Sequence, residues 1–167
     1  MPERSVIPDP FKFAAEGQSI SGEVPLADLG RLSDVLVDRQ GKASYSVTGE
    51  FGRDRQARLR VKASGMLPVQ CQRCLGRMEW PLDIERVLEL VRKGQPIPDE
   101  ELENDEFDAI EATADMDVLA VIEDEVVLAM PIAPRHEHCD VPHPSEGVAT
   151  KESPFAALDK LRKSGAK

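Results

Sequence analysis

Aromatic side chains are scarce in this 167-residue chain: one Trp, one Tyr and five Phe. Cysteines are scarcer, three in all, and an odd, low count argues against the disulfide framework of a small secreted domain. No apolar run approaches the length of a membrane span. The opening "MPERSVIPDPFKF" lacks the apolar core of a signal peptide, so a cytoplasmic protein is expected. Lys and Arg are absent from residues 94–134, which hold thirteen Asp and Glu. Enzyme signatures are missing too. "QGKAS" has Gly41 and Lys42 but neither the earlier glycine nor the hydroxyl residue of a phosphate loop. There is no GxGxxG and no nucleophile elbow. The three histidines cluster in one stretch without an evident serine nucleophile, no carboxylate pair stands out, and no internal repeat is visible.

The length suits one domain with a proper core, and the composition a soluble, globular chain. The net charge of −10 is unevenly spread: residues 51–93 carry ten Lys and Arg against five Asp and Glu. Such a protein is a poor general binder of phosphate backbones and a natural binder of basic proteins. No DNA and no membrane partner is expected.

"AAEGQSISGEVPL", residues 14–26, alternates loosely, as a strand would. Leu26, Leu29, Leu32 and Leu36 then recur at helical spacing, which predicts a short amphipathic helix. Tyr45, Val47, Gly49 and Phe51 alternate, "GRDRQ" is a turn, and Leu59, Val61 and Ala63 alternate against Arg58, Arg60 and Lys62. The pair reads as a β-hairpin with a cationic outer face. Met78, Trp80, Leu82 and Ile84 form the next strand, so Cys71 and Cys74 fall at a tight turn. A long acidic loop follows over residues 94–117. "DMDVLAVIEDEVVLAMPIAP" is the clearest helix, capped by Asp115 or Asp117 and stopped by Pro131. Leu119, Ile122, Val126 and Met130 line its buried face, and Glu123, Asp124 and Glu125 are expected to face outward. The tail ends in "SPFAALDKLRK", with Ser153 as N-cap and Pro154 at the first helical position.

The fold expected is α+β: a mostly antiparallel, curled sheet with two packed helices and a tethered C-terminal helix. An N-terminal arm covers residues 1–19, one domain residues 20–139, and a flexible tail residues 140–167 with a short helix at 154–163.

Zinc takes four thiolate or imidazole ligands in a tetrahedron at structural sites. "Cys71-Gln-Arg-Cys74-Leu-Gly76" suits two of them, with Gly76 easing the backbone. Cys139 with His136 or His138 would supply the rest, stapling the sheet to the end of the long helix around one structural zinc. One CxxC pair is common by itself, and packing thiols are the bland alternative. A redox pair is the weaker reading, because such pairs usually sit at a helix N-terminus.

In this order, "VQCQRCLGRMEWPLDIERVLELVR", an acidic stretch, "EDEVVLAMPIAPRHEHCD" and the closing "SPFAALDKLRK" resemble the YceD family of large ribosomal RNA subunit accumulation proteins. The resemblance runs over roughly residues 20–162. It implies a bacterial cytoplasmic protein needed for 23S ribosomal RNA accumulation and large-subunit biogenesis, with no established catalytic activity and no settled mechanism. Cys71, Cys74, Cys139 and the neighbouring His136 or His138 match the family's cysteine and histidine positions. Charge and resemblance together suggest an acidic adaptor for a basic ribosomal protein or assembly factor. Its partner surface would be Asp99, Glu100, Glu101, Glu103, Asp105, Glu106 and Asp108, with the acidic helix face. Arg58, Arg60, Lys62, Arg73 and Arg77 are the candidate RNA contacts, or they only balance charge. The alternative is a small zinc-containing module that binds ribosomal RNA directly.

Overall fold

The computed structural model describes residues 5–53, 55–95 and 108–139. β1 (Val6–Ile7) and α1 (Pro10–Ala15) precede β2 (Ser19–Pro25). Two short 3-10 turns, Leu26–Asp28 and Gly30–Asp34, lead to β3 (Lys42–Phe51), β4 (Ala57–Gln70) and β5 (Arg77–Arg92). β6 (Asp108–Ala112), β7 (Met116–Asp117) and α2 (Val118–Ala129) complete the described chain. The main sheet runs β2-β3-β4-β5-β6, antiparallel except for the parallel β5–β6 pair. Its edge strands do not pair with each other, and the sheet is open rather than strongly curled.

Period-two alternation gives this sheet one dry face and one wet face. Val47, Leu59, Val61, Ala63, Leu82 and Leu88 are buried on the inner side. α1, α2 and the 3-10 turns cover that side. The outer side carries an ion-pair ladder. Arg58 binds Glu89 at 3.1 Å. Arg60 binds Glu50 at 2.9 Å and Glu85 at 2.6 Å. Lys62 binds Glu85 at 2.9 Å. Lys62 and then Arg60 hold the Glu85 carboxyl below its ordinary range.

The predicted hairpins are present, and four features differ from expectation. Leu26, Leu29, Leu32 and Leu36 are all buried, but they lie in and beside the 3-10 turns and not in an α-helix. The first three are spaced by three, the period of a 3-10 turn, and Leu29 takes a non-helical backbone between the two turns. A helix was not expected at residues 10–15, yet Asp9 caps α1 at 3.0 Å and Phe13 and Ala14 enter the core. The stretch read as an acidic loop ends in structure, because β6 pairs with Leu88–Arg92 and β7 pairs with β1. The tail helix at 154–163 lies outside the described residues.

The fourth difference is Glu125, which is 7% exposed. It follows Ile122 by three residues and Val118 by seven, so helix geometry turns it to the sheet. Burial, then the charge of Asp108, push its carboxyl above the usual range, with Arg86 opposing them.

α1 meets β3 at Gly49. A Cβ there would lie 2.7 Å from the Ala14 Cα and 2.8 Å from the Phe13 carbonyl carbon, so the helix backbone rests directly on the strand. Gly49→Ala should therefore cost about 2 kcal/mol in chemical denaturation. Gly30→Ala, which meets nothing within 4 Å, should change little, and equal effects would refute the close-approach account. A carboxyl whose folded pKa is raised adds stability below the unfolded pKa and loses it as pH rises through the folded pKa. Glu125→Gln should thus raise the melting temperature at neutral pH, with the gain fading below about pH 4. A gain that persists undiminished into acid would rule out the buried charge as its source.

Candidate metal centre

The last register pair of the long hairpin is Gln70↔Arg77, leaving residues 71–76 as the turn. Two backbone bonds close it, Cys71 N–H to the Gly76 carbonyl and Leu75 N–H to the Cys71 carbonyl, each at 2.9 Å. Gln70 Nε2 donates to the Leu75 carbonyl at 3.1 Å. The Arg73 amide points at the Cys71 sulfur, 3.4 Å away. The left-handed residue is Leu75, at φ 60°, and not Gly76. That conformation costs a side-chain-bearing residue roughly 1–2 kcal/mol, a strain held by the bonds around it. Gly76 serves in another way, because a Cβ there would sit 3.4 Å from the Cys74 sulfur.

The chain after α2 returns to this turn. Asp117 caps α2 through the Leu119 amide at 2.9 Å, and the helix stops before Pro131. Gln72 N–H then donates to the Pro134 carbonyl at 2.8 Å. Cys74 Sγ stands 3.4 Å from His136 Nδ1. The result is a cluster of Cys71, Cys74, His136 and Cys139 whose ligand atoms all lie within 4.8 Å of one another. A tetrahedral zinc with bonds of about 2.3 Å to sulfur and 2.0 Å to nitrogen sets its ligands roughly 3.5–3.8 Å apart. Both the donor set and the spacing fit a metal. His138, the other candidate, is exposed and outside the cluster.

The three thiols are unbridged and electrically unequal. Burial pushes the Cys71 thiol up, but the backbone N–H groups of Cys74, His136 and Arg73, with the Cys74 side chain, outweigh it and bring it to about 5. Burial, then the Cys71 sulfur, push Cys139 up against the pull of Arg73. One thiolate is thus ready at neutral pH, and a bound cation would favour loss of the remaining protons. The CxxC segment sits on a β-turn and lacks the helix N-terminus expected of a redox pair.

Beside the cluster runs an open groove of about 480 Å³, lined among others by Val35, Val37, Val69, Gln72, Ile132 and Pro134. Sequence reasoning missed it. Its only trace was apolar residues out of helical register, in "SDVLV" and "MPIAP".

Of the five candidate RNA contacts, Arg58, Arg60 and Lys62 belong to the ladder described above. Arg77 pairs with Asp38 at 2.9 Å and Glu79 at 2.5 Å. Arg73 is exposed on the turn and makes no ion pair among the described residues. The candidate partner surface divides similarly. Asp99, Glu100, Glu101, Glu103, Asp105 and Glu106 lie outside the described residues, and Asp108 opens β6, exposed. On α2, Glu123 accepts the Arg31 amide, Asp124 pairs with the Arg31 guanidinium, and Glu125 is buried. The acidic helix face is therefore engaged within the fold.

These features define an α+β protein with a half-exposed sheet and a Cys3His cluster that clips a β-turn to the end of a helix. The chain belongs to the YceD family, described as large ribosomal RNA subunit accumulation protein YceD, whose profile matches residues 59–162. All four clustered residues lie within that match. A relative from Haemophilus influenzae, named large ribosomal RNA subunit accumulation protein YceD, is 29% identical over 170 aligned positions. The alignment covers 92% of this chain and 93% of the relative. No solved structure matches the chain. No helix among the described residues is long and apolar enough to cross a membrane.

Protein purified without a metal-affinity tag should contain about one equivalent of zinc per chain. Cys71→Ser or Cys139→Ser should abolish it, and chelation should lower the melting temperature by roughly 5 °C or more. Metal-free protein that melts at the same temperature would remove any structural role for the cluster.

Proposed function

We propose that the protein is a non-enzymatic, cytoplasmic factor that supports accumulation of large-subunit ribosomal RNA in bacteria. It acts as an acidic adaptor for a basic protein partner, a ribosomal protein or an assembly factor. The family description and the named relative support the ribosomal role. The observation that carries the adaptor reading is the ladder on the outer sheet face. Arg58, Arg60 and Lys62 already face Glu89, Glu50 and Glu85. A phosphate backbone would have to displace these carboxylates, while the net charge of −10 is left to draw a basic protein. The partner surface on this reading is the acidic segment of residues 99–108, and one structural zinc at Cys71, Cys74, His136 and Cys139 keeps the hairpin turn rigid.

The test is affinity purification from native cells at native expression level, with and without RNase. Basic ribosomal proteins or assembly factors should survive RNase. Changing Asp99, Glu100, Glu101, Glu103, Asp105 and Glu106 to Asn or Gln should release them. Loss of every protein on RNase treatment would overturn the adaptor reading.

A further inference from the structure

The end of the sheet farthest from the cysteine turn gathers cations that the ladder does not use. Phe51 closes β3 and is 55% exposed. The turn after it is held by Gly52 N–H to the Gln56 carbonyl at 2.8 Å and Arg55 N–H to the Gly52 carbonyl at 3.0 Å. Arg55 stands in that turn with a left-handed backbone, φ 65°, and Arg92 ends β5, beyond the end of the ladder. On the neighbouring α1, Phe11 lies under the Arg92 guanidinium, 4.6 Å from ring centroid to carbon. Lys12, next along the helix, has only an exposed contact to Glu16 at 3.8 Å, which is worth little. These groups surround an open recess of about 450 Å³, lined among others by Phe11, Lys12, Phe51, Arg55, Arg92 and Gln95. Arg53 and Lys93, the next cations along the chain, are exposed. Among the described residues, Arg53, Arg55, Arg92 and Lys93 have no carboxylate partner.

Like charges gathered around one recess repel each other unless something anionic comes between them. Elsewhere on the sheet each arginine of the ladder faces a glutamate. Here Arg55 and Arg92 line one recess with Phe11 and Phe51, and no described carboxylate pairs with either arginine. Cations along a recess with exposed aromatic faces are what a single nucleic-acid strand uses: phosphates meet the guanidinium and ammonium groups, and an unstacked base lies on a ring. A duplex has no free base face to offer.

We infer that this recess binds single-stranded RNA, with Lys12, Arg55 and Arg92 on the phosphates and Phe51 under a base. The site adds a direct RNA contact to the adaptor role and does not depend on the protein partner.

The probe is a fluorescein-labelled, mixed-sequence single-stranded RNA of about 12 nucleotides, followed by anisotropy with the full chain. Wild type should bind at about 50 mM salt and lose most of its affinity by about 200 mM. Lys12→Gln with Arg55→Gln should weaken binding about tenfold and make the salt dependence shallower by roughly one to two phosphate contacts. Phe51→Ala should weaken it about fivefold or more. Arg60→Gln with Lys62→Gln, on the ladder, should stay within about twofold of wild type. Lys12, Phe51, Arg55 and Lys62 are exposed and Arg60 is half-buried, and an unchanged melting temperature serves as the folding control. Three results overturn the inference. One is no binding by wild type at low salt. The second is a double variant that binds like wild type. The third is a larger loss in the ladder variant. The adaptor role fails separately, by loss of RNase-resistant partners with RNA binding intact.

Discussion

A single register governs the molecule. β4 and β5 pair over thirteen positions, from Arg58↔Glu89 to Gln70↔Arg77. A slip of one residue would turn Leu59, Val61 and Ala63 to water and Arg58, Arg60 and Lys62 into the core. Charged groups brought inward without partners would cost far more than any ladder pair contributes. The same pairing fixes the chemistry at both ends of the hairpin. It brings Cys71 and Cys74 into one turn, and at the far end it stops short of Arg55 and Arg92. Core, ion pairs and the cysteine turn are all consequences of one alignment.

The hairpin alone does not complete the cysteine cluster. Two of its four members arrive from the chain beyond α2, so their placement depends on how α2 sits on the sheet. That seat is set by Val118, Ile122 and Val126 against the inner face, by Arg31 holding Glu123 and Asp124, and by β1 clasping β7 just before the helix. Ile7 and Met116 are buried where the two short strands meet. A metal bound at the cluster would therefore couple three parts of the chain that are far apart in sequence. Because the unfolded chain has no such preformed site, binding energy there adds to folding energy. Glu125 works against the same seat, since an ionised carboxylate on the buried face opposes docking.

What could be read from the sequence followed from how many residues carried each signal. Ten to sixteen residues of alternation made β3, β4 and β5 legible, and with them the turn that holds Cys71 and Cys74. The capped α2 was equally plain. The leucines at 26, 29 and 32 were correctly read as core but misread as helix, because spacings of three and three-to-four look alike over so few turns. α1 was missed because six residues hold too little periodicity, and its docking depends on an absence, the missing side chain of Gly49. β6 was hidden within an acidic run that reads as solvated loop. Glu125 was assigned outward by residue type when helix phase placed it inward. His136 and His138 were indistinguishable in sequence, since the choice is made by the path of the chain after Pro131, where Pro134 accepts the bond from Gln72. The cations of the β4 strip were visible; their pairing was not, because their partners come from neighbouring strands.

The two ends of the hairpin are far enough apart to act separately. A strand rises about 3.3 Å per residue, so the fourteen residues of β4 place the cysteine turn roughly 40 Å from the turn after Phe51. Charges in water at physiological salt are screened over about 8 Å. Net charge sets the attraction of the whole molecule for a basic protein, but it is a weak guide to what either end can touch. A chain with charge −10 can still present a local cationic surface, and it is the carboxylates within a screening length of that surface that decide whether a phosphate can compete. Along β4 those carboxylates are present and aligned, at Glu50, Glu85 and Glu89. Past Arg58 no described carboxylate makes a direct ion pair with Arg55 or Arg92. Which cations of β4 are paired is settled by register, one strand position at a time, and overall composition carries no record of it.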